Sequence, residues 1–226
     1  MTRISRHALV LLAAFGLAVA APAQAASTTQ ELVEKARLTV EKLLADPDMG
    51  MLVRTLKEAK GVLIIPSLLK AGFLFGAEGG SGVLLSRDAN GEWSYPAFVT
   101  LGAASFGLQA GVQDSQVIFT IMTERGLDAV VRTEVKLGLD ASVAIGSIGT
   151  GLEGSMTTGF GADIAAFSLS RGLFGGGAIE GGVIRERADW NREYYGAEAT
   201  ARAIIFYHQF SNPDADGLRA ALAAIQ

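Results

Sequence analysis

The sequence predicts an α+β fold, in which amino- and carboxy-terminal helices pack a curved, mainly antiparallel sheet that is either open or barrel-like. Helical patterns occupy both ends of the chain, and strand-like stretches fill the middle. Helices followed by consecutive strands favour this class over alternating βαβ units. The 28 glycines are spread through a chain that is 50% hydrophobic, a content too high for a disordered protein. Scattered glycines are typical of strands that bend sharply or pack closely.

The first 25 residues have the pattern of a cleaved export signal. Arg3, Arg6 and His7 form a basic start, residues 8–20 an apolar run, and Ala23-Gln24-Ala25 a small-x-small exit. The apolar run is too short to span a bilayer comfortably. We therefore expect cleavage near Ala25, a periplasmic or secreted protein, and one domain over residues 26–226.

Helix signals occur at both ends of that domain. The amino-terminal helices are predicted within residues 26–60, and Asp46-Pro47 separates the first from the second. The first helix carries an apolar stripe formed by Leu32, Val33, Ala36, Val40, Leu43 and Leu44. The carboxy-terminal helices are predicted within residues 197–226, at 197–209 and 214–225.

Strand-like stretches lie between these helices. The first, residues 61–65, ends at Pro66, and Asn90-Gly91 is a strong hairpin signal. A short helix is expected near residues 127–132. The other predicted strands are residues 72–86, 98–112, 117–122, 135–145, 160–168 and 178–185.

Charge and cysteine content exclude several classes of function. The expected signal holds two of the 19 basic residues and none of the 23 acidic ones, so the remaining chain has a net charge of 17 − 23 = −6. A chain this acidic is a poor candidate for nucleic-acid binding. The chain has no cysteine, which excludes disulfides and cysteine-ligated metal.

The motifs do not support catalysis. His208 is the only histidine beyond the expected signal, and its apolar helical context favours a structural role. The segment around Ser105 lacks the first glycine of a nucleophile elbow. The glycine pattern at 149–154 is followed by a strand-like segment, whereas pyrophosphate binding needs a helix there. We expect no enzyme, no cofactor and no metal site.

One region has the composition of a membrane-contacting surface. Its basic residues can meet anionic headgroups and its apolar residues can insert between lipids. The same pattern also fits core side chains beside a solvated edge, and the residues alone leave both interpretations open. The candidates are Arg54, Lys57, Lys60, Lys70, Leu68, Leu69, Phe73 and Phe75.

An ordered set of segments resembles the SYLF domain family. It begins with Ala59-Lys60-Gly61-Val62, continues through residues 79–84 and residues 91–97, and ends at Tyr194-Tyr195-Gly196. The resemblance covers about residues 32–200. Its glycines and aromatic residues have a structural role as their first interpretation, since glycine permits bends and close strand contacts. These motif residues are Gly79, Gly80, Gly82, Trp93, Pro96, Gly111, Tyr195 and Gly196.

The resemblance implies a lipid- or protein-binding module without an assigned reaction. Eukaryotic members are linked to phosphoinositide binding, and fungal members to actin. Because an exported chain would meet no actin, we expect its partner to be a membrane phospholipid surface or an envelope protein. The alternative is a structural or stress-protective envelope protein that binds no lipid.

Overall fold

A computed structural model describes residues 27–147, 161–168 and 181–225. The expected signal segment and the glycine pattern at 149–154 lie outside these residues. The side chains of Leu43, Asp48, residues 72–75, residues 105–111 and residues 145–147 are also outside the description.

Helices flank the strands, as the sequence predicts. Six α-helices occur in the described ranges: α1 Thr28–Leu44, α2 Gly50–Glu58, α3 Glu124–Val130, α4 Ala188–Tyr195, α5 Ala201–Ile205 and α6 Asp216–Ala223. Short 3-10 turns precede α2 at Pro47–Met49 and α6 at Pro213–Ala215. Thr200 caps α5 by accepting a hydrogen bond from the backbone N–H of Ala203, so this helix begins later than the predicted residue 197.

The sheet is mixed and mostly antiparallel, which confirms the predicted α+β class. Its order is β3-β6-β2-β5-β4, with β1 paired to β2 along nearly its whole length. Among the described pairs of strands, β4 with β5 is parallel. The strands are β1 Gly61–Ser86, β2 Ala97–Ile121, β3 Glu134–Lys136, β4 Val143–Ser147, β5 Ile164–Ser168 and β6 Val183–Glu186.

β1 and β2 form one long hairpin that bends back on itself. An added Cβ at Gly82 would lie 2.5 Å from the carbonyl oxygen of Ile64, although the two residues are far apart along the same strand. A Cβ at Gly61 would lie 2.9 Å from the Leu85 oxygen. The two halves of β1 are therefore neighbours, and the sheet curls as the glycine distribution predicts.

The prediction that the first strand ends at Pro66 is wrong, because β1 continues through this residue to Ser86. The register with β2 shifts between Ile65 and Leu68, where a bulge accommodates a residue that cannot donate to the ladder. The hairpin turn at Asn90-Gly91 is confirmed, with Gly91 at φ 85° and a bridge between Arg87 and Trp93 on either side.

Each face of the sheet carries its own core. The face that we call the α1 face packs buried residues such as Ile64 and Phe98 against helices α1, α2 and α6. The opposite α5 face packs residues such as Leu63 and Phe119 against α3 and α5. Val33, Ala36 and Val40 of α1 are buried, so the apolar stripe predicted for this helix faces the protein core.

Candidate binding surfaces

The basic candidates do not form one cluster. Arg54 and Lys57 are exposed on α2, and Lys60 follows that helix, with its ammonium 3.7 Å from a Glu124 carboxylate oxygen. Lys70 lies ten residues further along β1. At a strand rise of about 3.3 Å per residue, this separation is roughly 30 Å. The sequence predicts one surface for all four basic residues, because it does not show that β1 carries Lys70 away from the other three.

Lys70 points to the α5 face and pairs with a buried carboxylate. Its ammonium is 2.9 Å from Oε1 of Glu78, whose side chain has no exposed surface. The two groups are close enough for an ion pair, but their orientation does not allow a hydrogen bond. Both Glu78 oxygens therefore lack a hydrogen-bond partner among the described residues. The two charges attract at this distance, because Coulomb attraction depends little on angle. The pair joins the two halves of β1.

Lys70→Met is expected to destabilise the fold by about 2 kcal/mol, because it leaves the Glu78 charge buried without compensation. The loss stays below the full range for buried pairs because the Lys70 side chain is 31% exposed. Urea unfolding measures it. Adding Glu78→Leu to Lys70→Met should recover most of the loss, and a double variant as unstable as the single one would contradict this role for the pair.

Leu68 and Leu69, adjacent in sequence, have opposite environments. Leu68 is 1% exposed and lies in the core of the α5 face, whereas Leu69 is 50% exposed. This corrects the use of Leu68 as an inserting side chain: alternate residues of a strand point to opposite faces. The side chains of Phe73 and Phe75 lie outside the described ones, so their contribution stays a prediction.

Leu69 belongs to an apolar patch beyond the end of α1. In the β1–β2 register, Leu69 opposes Asp114 and Ala71 opposes Val112. Val112 is 75% exposed, and Ala71 is exposed. Residues 112, 114 and 116 of β2 share one face by alternation, and Gln116 bonds Lys42 and Thr39 of α1.

Leu38 lies one helical turn before Lys42 and adds a half-exposed leucine on that side of α1. We call Leu38, Leu69, Ala71 and Val112 the ribbon patch. The six large hydrophobic residues that are exposed in the described ranges are Leu38, Leu44, Leu69, Val112, Leu139 and Tyr207. Four of these six lie on α1 or on the bent hairpin, so within the described ranges the exposed large apolar side chains are concentrated on these elements.

The motif residues that are described occupy structural positions. Gly80 and Gly82 allow the close approach of the two halves of β1, whereas Gly79 has no neighbour closer than 3.8 Å to its added Cβ. Gly111 pairs with Gly72 in the register. Gly196 ends α4 in the left-handed conformation at φ 65°.

Tyr195 and Pro96 join α4 to the start of β2. The Tyr195 hydroxyl donates to the Pro96 carbonyl oxygen at 2.6 Å. Burial raises the pKa of Tyr195 well above its usual range, so the phenol remains a neutral donor. This contact fixes the chain between Trp93 and β2.

Trp93 is buried beneath the guanidinium of Arg87. The Arg87 Cζ lies 4.5 Å from the Trp93 ring centroid, and Arg87 Nη1 donates to the Lys57 carbonyl oxygen at 2.7 Å, at the end of α2. The sequence marked Trp93 as a motif residue. It gave no sign that Arg87 would connect Trp93 to the end of α2, because Lys57 and Arg87 are 30 residues apart.

The structure also brings Ser86 and His208 together, but not as a catalytic pair. His208 Nε2 is 3.4 Å from the Ser86 hydroxyl, which itself donates to the Ile205 carbonyl oxygen at 2.6 Å. Ser86 is 2% exposed. Asp88, the nearby acid, accepts hydrogen bonds from the backbone of Asn90 and Glu92. A nucleophile needs a free hydroxyl and an oriented base, and this arrangement supplies neither.

Two further classes of site do not occur in the described ranges, namely a metal-ligand cluster and a membrane-spanning helix. No group of three or more His, Asp or Glu side chains is placed to hold a metal ion among residues 27–147, 161–168 and 181–225. In the same part of the chain, every helix is too short or too polar to cross a bilayer.

Comparison with known proteins identifies the family. The family model described as Ysc84, Las17-binding protein actin regulator, matches residues 102–225, which is more than half of the chain. The chain belongs to the SYLF (Ysc84) family. This confirms the resemblance seen in the sequence motifs.

Relatives of this SYLF protein include animal and fungal proteins. SH3 domain-containing YSC84-like protein 1 of Bos taurus is 34% identical over 161 residues, covering 71% of this chain and 47% of the relative. Protein YSC84 of Saccharomyces cerevisiae is 37% identical over 166 residues, covering 72% and 35%. LAS seventeen-binding protein 3 of the same species is 37% identical over 153 residues, covering 66% and 33%.

The chain therefore spans less than half the length of these relatives. Their names describe binding and regulatory proteins rather than enzymes.

Proposed function

We propose that this SYLF protein binds a membrane lipid surface through the ribbon patch. The observation that supports the proposal is the exposure of Leu69 and Val112, at 50% and 75%, on one face of a bent hairpin. Burying an exposed leucine or valine side chain in an apolar phase is favourable by about 1.5–3 kcal/mol. Two such side chains on a curled ribbon suit shallow insertion, and Leu38 of α1 adds a half-exposed leucine.

Three exposed lysines differ in their distance from the ribbon patch. Lys42 is exposed beside the ribbon patch and supplies attraction to anionic headgroups, worth about 1 kcal/mol per cation near such a surface. Lys60 lies just before β1, nine residues from Leu69 or roughly 30 Å at the strand rise, and Lys57 lies three residues earlier on α2. We therefore expect apolar contact to dominate, with a smaller salt-sensitive contribution.

We further propose that the protein acts after export, in the cell envelope, with anionic phospholipid as the preferred surface. The export pattern of residues 1–25 supports this location. Amino-terminal sequencing of the protein recovered from fractionated cells tests it: cleavage near Ala25 is expected, and an intact amino terminus in the cytoplasm would contradict it.

Replacing Leu69 and Val112 together by Ser is expected to weaken vesicle binding by roughly twentyfold to several hundredfold, because the apolar burial of the exposed halves or more of two side chains is lost. Flotation of the protein from Ala26 onward, with neutral and anionic vesicles at low and high salt, measures it. Leu139→Ser is the matched control, because Leu139 is 81% exposed but lies outside the ribbon patch.

Lys57→Glu with Lys60→Glu tests the basic end in the same assay. Under the ribbon proposal this variant loses at most a salt-sensitive part of the binding. If it abolishes binding while the Leu69 and Val112 variant floats normally, the contact surface is the α2 end. If the unaltered protein does not float with either neutral or anionic vesicles, the proposal of direct lipid binding is wrong.

A protein partner is the second candidate, and the names of the relatives favour it. Las17-binding is part of the family description, and one yeast relative is named for binding LAS seventeen. The partner of an exported member would be an envelope protein, because actin is absent from that compartment. Crosslinking in intact cells, with a photoreactive residue at position 112, is expected to capture a protein if this candidate is correct and lipid alone if it is not.

A further inference from the structure

Arg87 is a partly buried cation without a counter-ion among the residues that the structure describes. Every other described arginine except the exposed Arg54 forms an ion pair with a carboxylate. Arg87 has no carboxylate partner, and its Nε and Nη2 atoms are buried with no hydrogen-bond partner among the described residues. Burial lowers the pKa of its guanidinium from the usual value. A buried charge is destabilising unless it is paired, so this position favours binding of an anion.

The unpartnered edge of Arg87 is the one that binds oxyanions elsewhere in this protein. Arg125, Arg187 and Arg192 each use the Nε and Nη2 pair to hold the two oxygens of one carboxylate, at distances of 2.6–3.1 Å. Such fork-shaped contacts are the strong and directional form of arginine recognition. In Arg87, Nη1 is fixed on the Lys57 oxygen, which holds the free edge in position.

A third unpartnered donor belongs to the ring that the Arg87 guanidinium covers. The indole Nε1 of Trp93 is buried without a hydrogen-bond partner in the described residues, and Trp93 is 3% exposed. Because the Trp93 ring centroid is 4.5 Å from Arg87 Cζ, the three donors belong to one corner between the end of α2 and the start of the hairpin turn. Three donors with no acceptor are complementary to a group that has several acceptor oxygens and no proton to donate.

We propose that Arg87 and Trp93 form a binding site for a phosphate oxyanion. The guanidinium edge binds two of its oxygens and the indole N–H a third, while the exposed Lys57 and Lys60 add positive charge nearby. Since the three donors are covered, the anion enters by displacing the adjacent turn, which is exposed at Asn90 and Glu92. The site is independent of the ribbon patch, so either proposal can fail alone.

Trp93 itself reports the binding. The chain has two tryptophans, so Trp190→Phe leaves Trp93 as the only indole emitter. Titration of this protein with inorganic phosphate at constant ionic strength is expected to give a saturable change in fluorescence. In the same background, Arg87→Gln and Arg87→Lys should bind at least about tenfold more weakly, because both lose the fork. Arg54→Gln is the control, since Arg54 is exposed and has no carboxylate partner in the described part of the chain.

Each outcome decides the proposal. A saturable response that both Arg87 variants lose and Arg54→Gln keeps supports it. A linear response, no response, or a response retained in Arg87→Gln overturns it. Glycerol phosphate and anionic vesicles then separate the sources: binding of free phosphates alone identifies a soluble ligand, whereas Arg87-dependent flotation identifies a lipid headgroup.

Because Arg87 also holds the end of α2, the unfolding transition of each variant is measured in urea first. Phosphate binding is then compared in buffer without urea, and only for variants that are folded under those conditions. Trp93→Phe provides a second route, because it keeps an aromatic side chain beside Arg87 and removes the indole N–H. It is expected to raise the phosphate concentration for half-saturation severalfold by a thermal-shift readout, and an unchanged value would remove Trp93 from the site.

Discussion

Gly82→Ala is expected to destabilise the protein by about 3 kcal/mol, at the upper end of the usual range for overpacking. An added Cβ would lie 2.5 Å from the Ile64 carbonyl oxygen and 2.8 Å from Cγ1 of Ile65. The oxygen belongs to the backbone of a paired strand, so it cannot move aside without breaking the register between β1 and β2. Equilibrium unfolding in urea, followed by circular dichroism, measures the change.

Gly102→Ala is the matched control for this prediction. Gly102 lies on the same sheet, but no atom of the described residues comes within 4 Å of its added Cβ. It should change the free energy of unfolding by less than about 0.5 kcal/mol, as ordinary surface substitutions do. If Gly82→Ala is as stable as Gly102→Ala, the two halves of β1 do not approach each other as described, and the curled hairpin is wrong.

The sheet could be predicted in outline because its local signals agree. Alternating bulky and small residues, Asn90-Gly91 and the helical periodicity at both ends all favour one α+β arrangement. What the sequence did not reveal is that residues 61–86 form one strand. Pro66 is a strong local break signal, and only the register shift between Ile65 and Leu68 explains how the strand passes it.

The binding surfaces were harder to predict, because they depend on which face each strand residue takes. Leu68 and Leu69 are equally apolar, but one is 1% and the other 50% exposed. The partners that decide their roles are distant in sequence: Val112 lies in β2, and Glu78 contacts Lys70 across a bend in β1. Alternate residues of a strand point to opposite faces of the sheet, but a one-residue bulge reverses the face that each later residue takes. The sequence does not show where the bulge lies.

A carboxylate that the sequence gave no reason to select holds three elements together. Asp163, at the start of β5, has a side chain that is 2% exposed. It accepts hydrogen bonds from the Thr123 hydroxyl at 2.6 Å, from Arg125 at 2.6 and 3.1 Å, and from the backbone and hydroxyl of Ser142 at 3.0 and 2.8 Å. These contacts connect β5 to the start of α3 and to the segment that leads into β4.

Asp163→Ala is therefore expected to lower the free energy of unfolding by about 3 kcal/mol, because the five hydrogen bonds to this buried, charged carboxylate are lost. Arg125 contributes less than its geometry suggests, since its side chain is 74% exposed. Asp189→Ala is the control: Asp189 makes the same two-oxygen contact with Arg187, but its side chain is 62% exposed, so its removal should cost less than about 1 kcal/mol. Urea unfolding at pH 7 compares the two variants.

The stabilisation by Asp163 should also depend on pH in a defined direction. Burial alone would raise the pKa of this carboxyl, but the hydrogen bonds from Thr123, Ser142 and Arg125 hold it well below its usual range. The folded state thus binds a proton less readily than the unfolded state, so the charged carboxylate stabilises the fold fully above the unfolded pKa of about 3.9. As pH falls below that value, the difference between the unaltered protein and Asp163→Ala should shrink, by roughly 1 kcal/mol at pH 3. A difference that stays constant from pH 7 to pH 3 would mean that the ionised carboxylate is not what holds β5 in place.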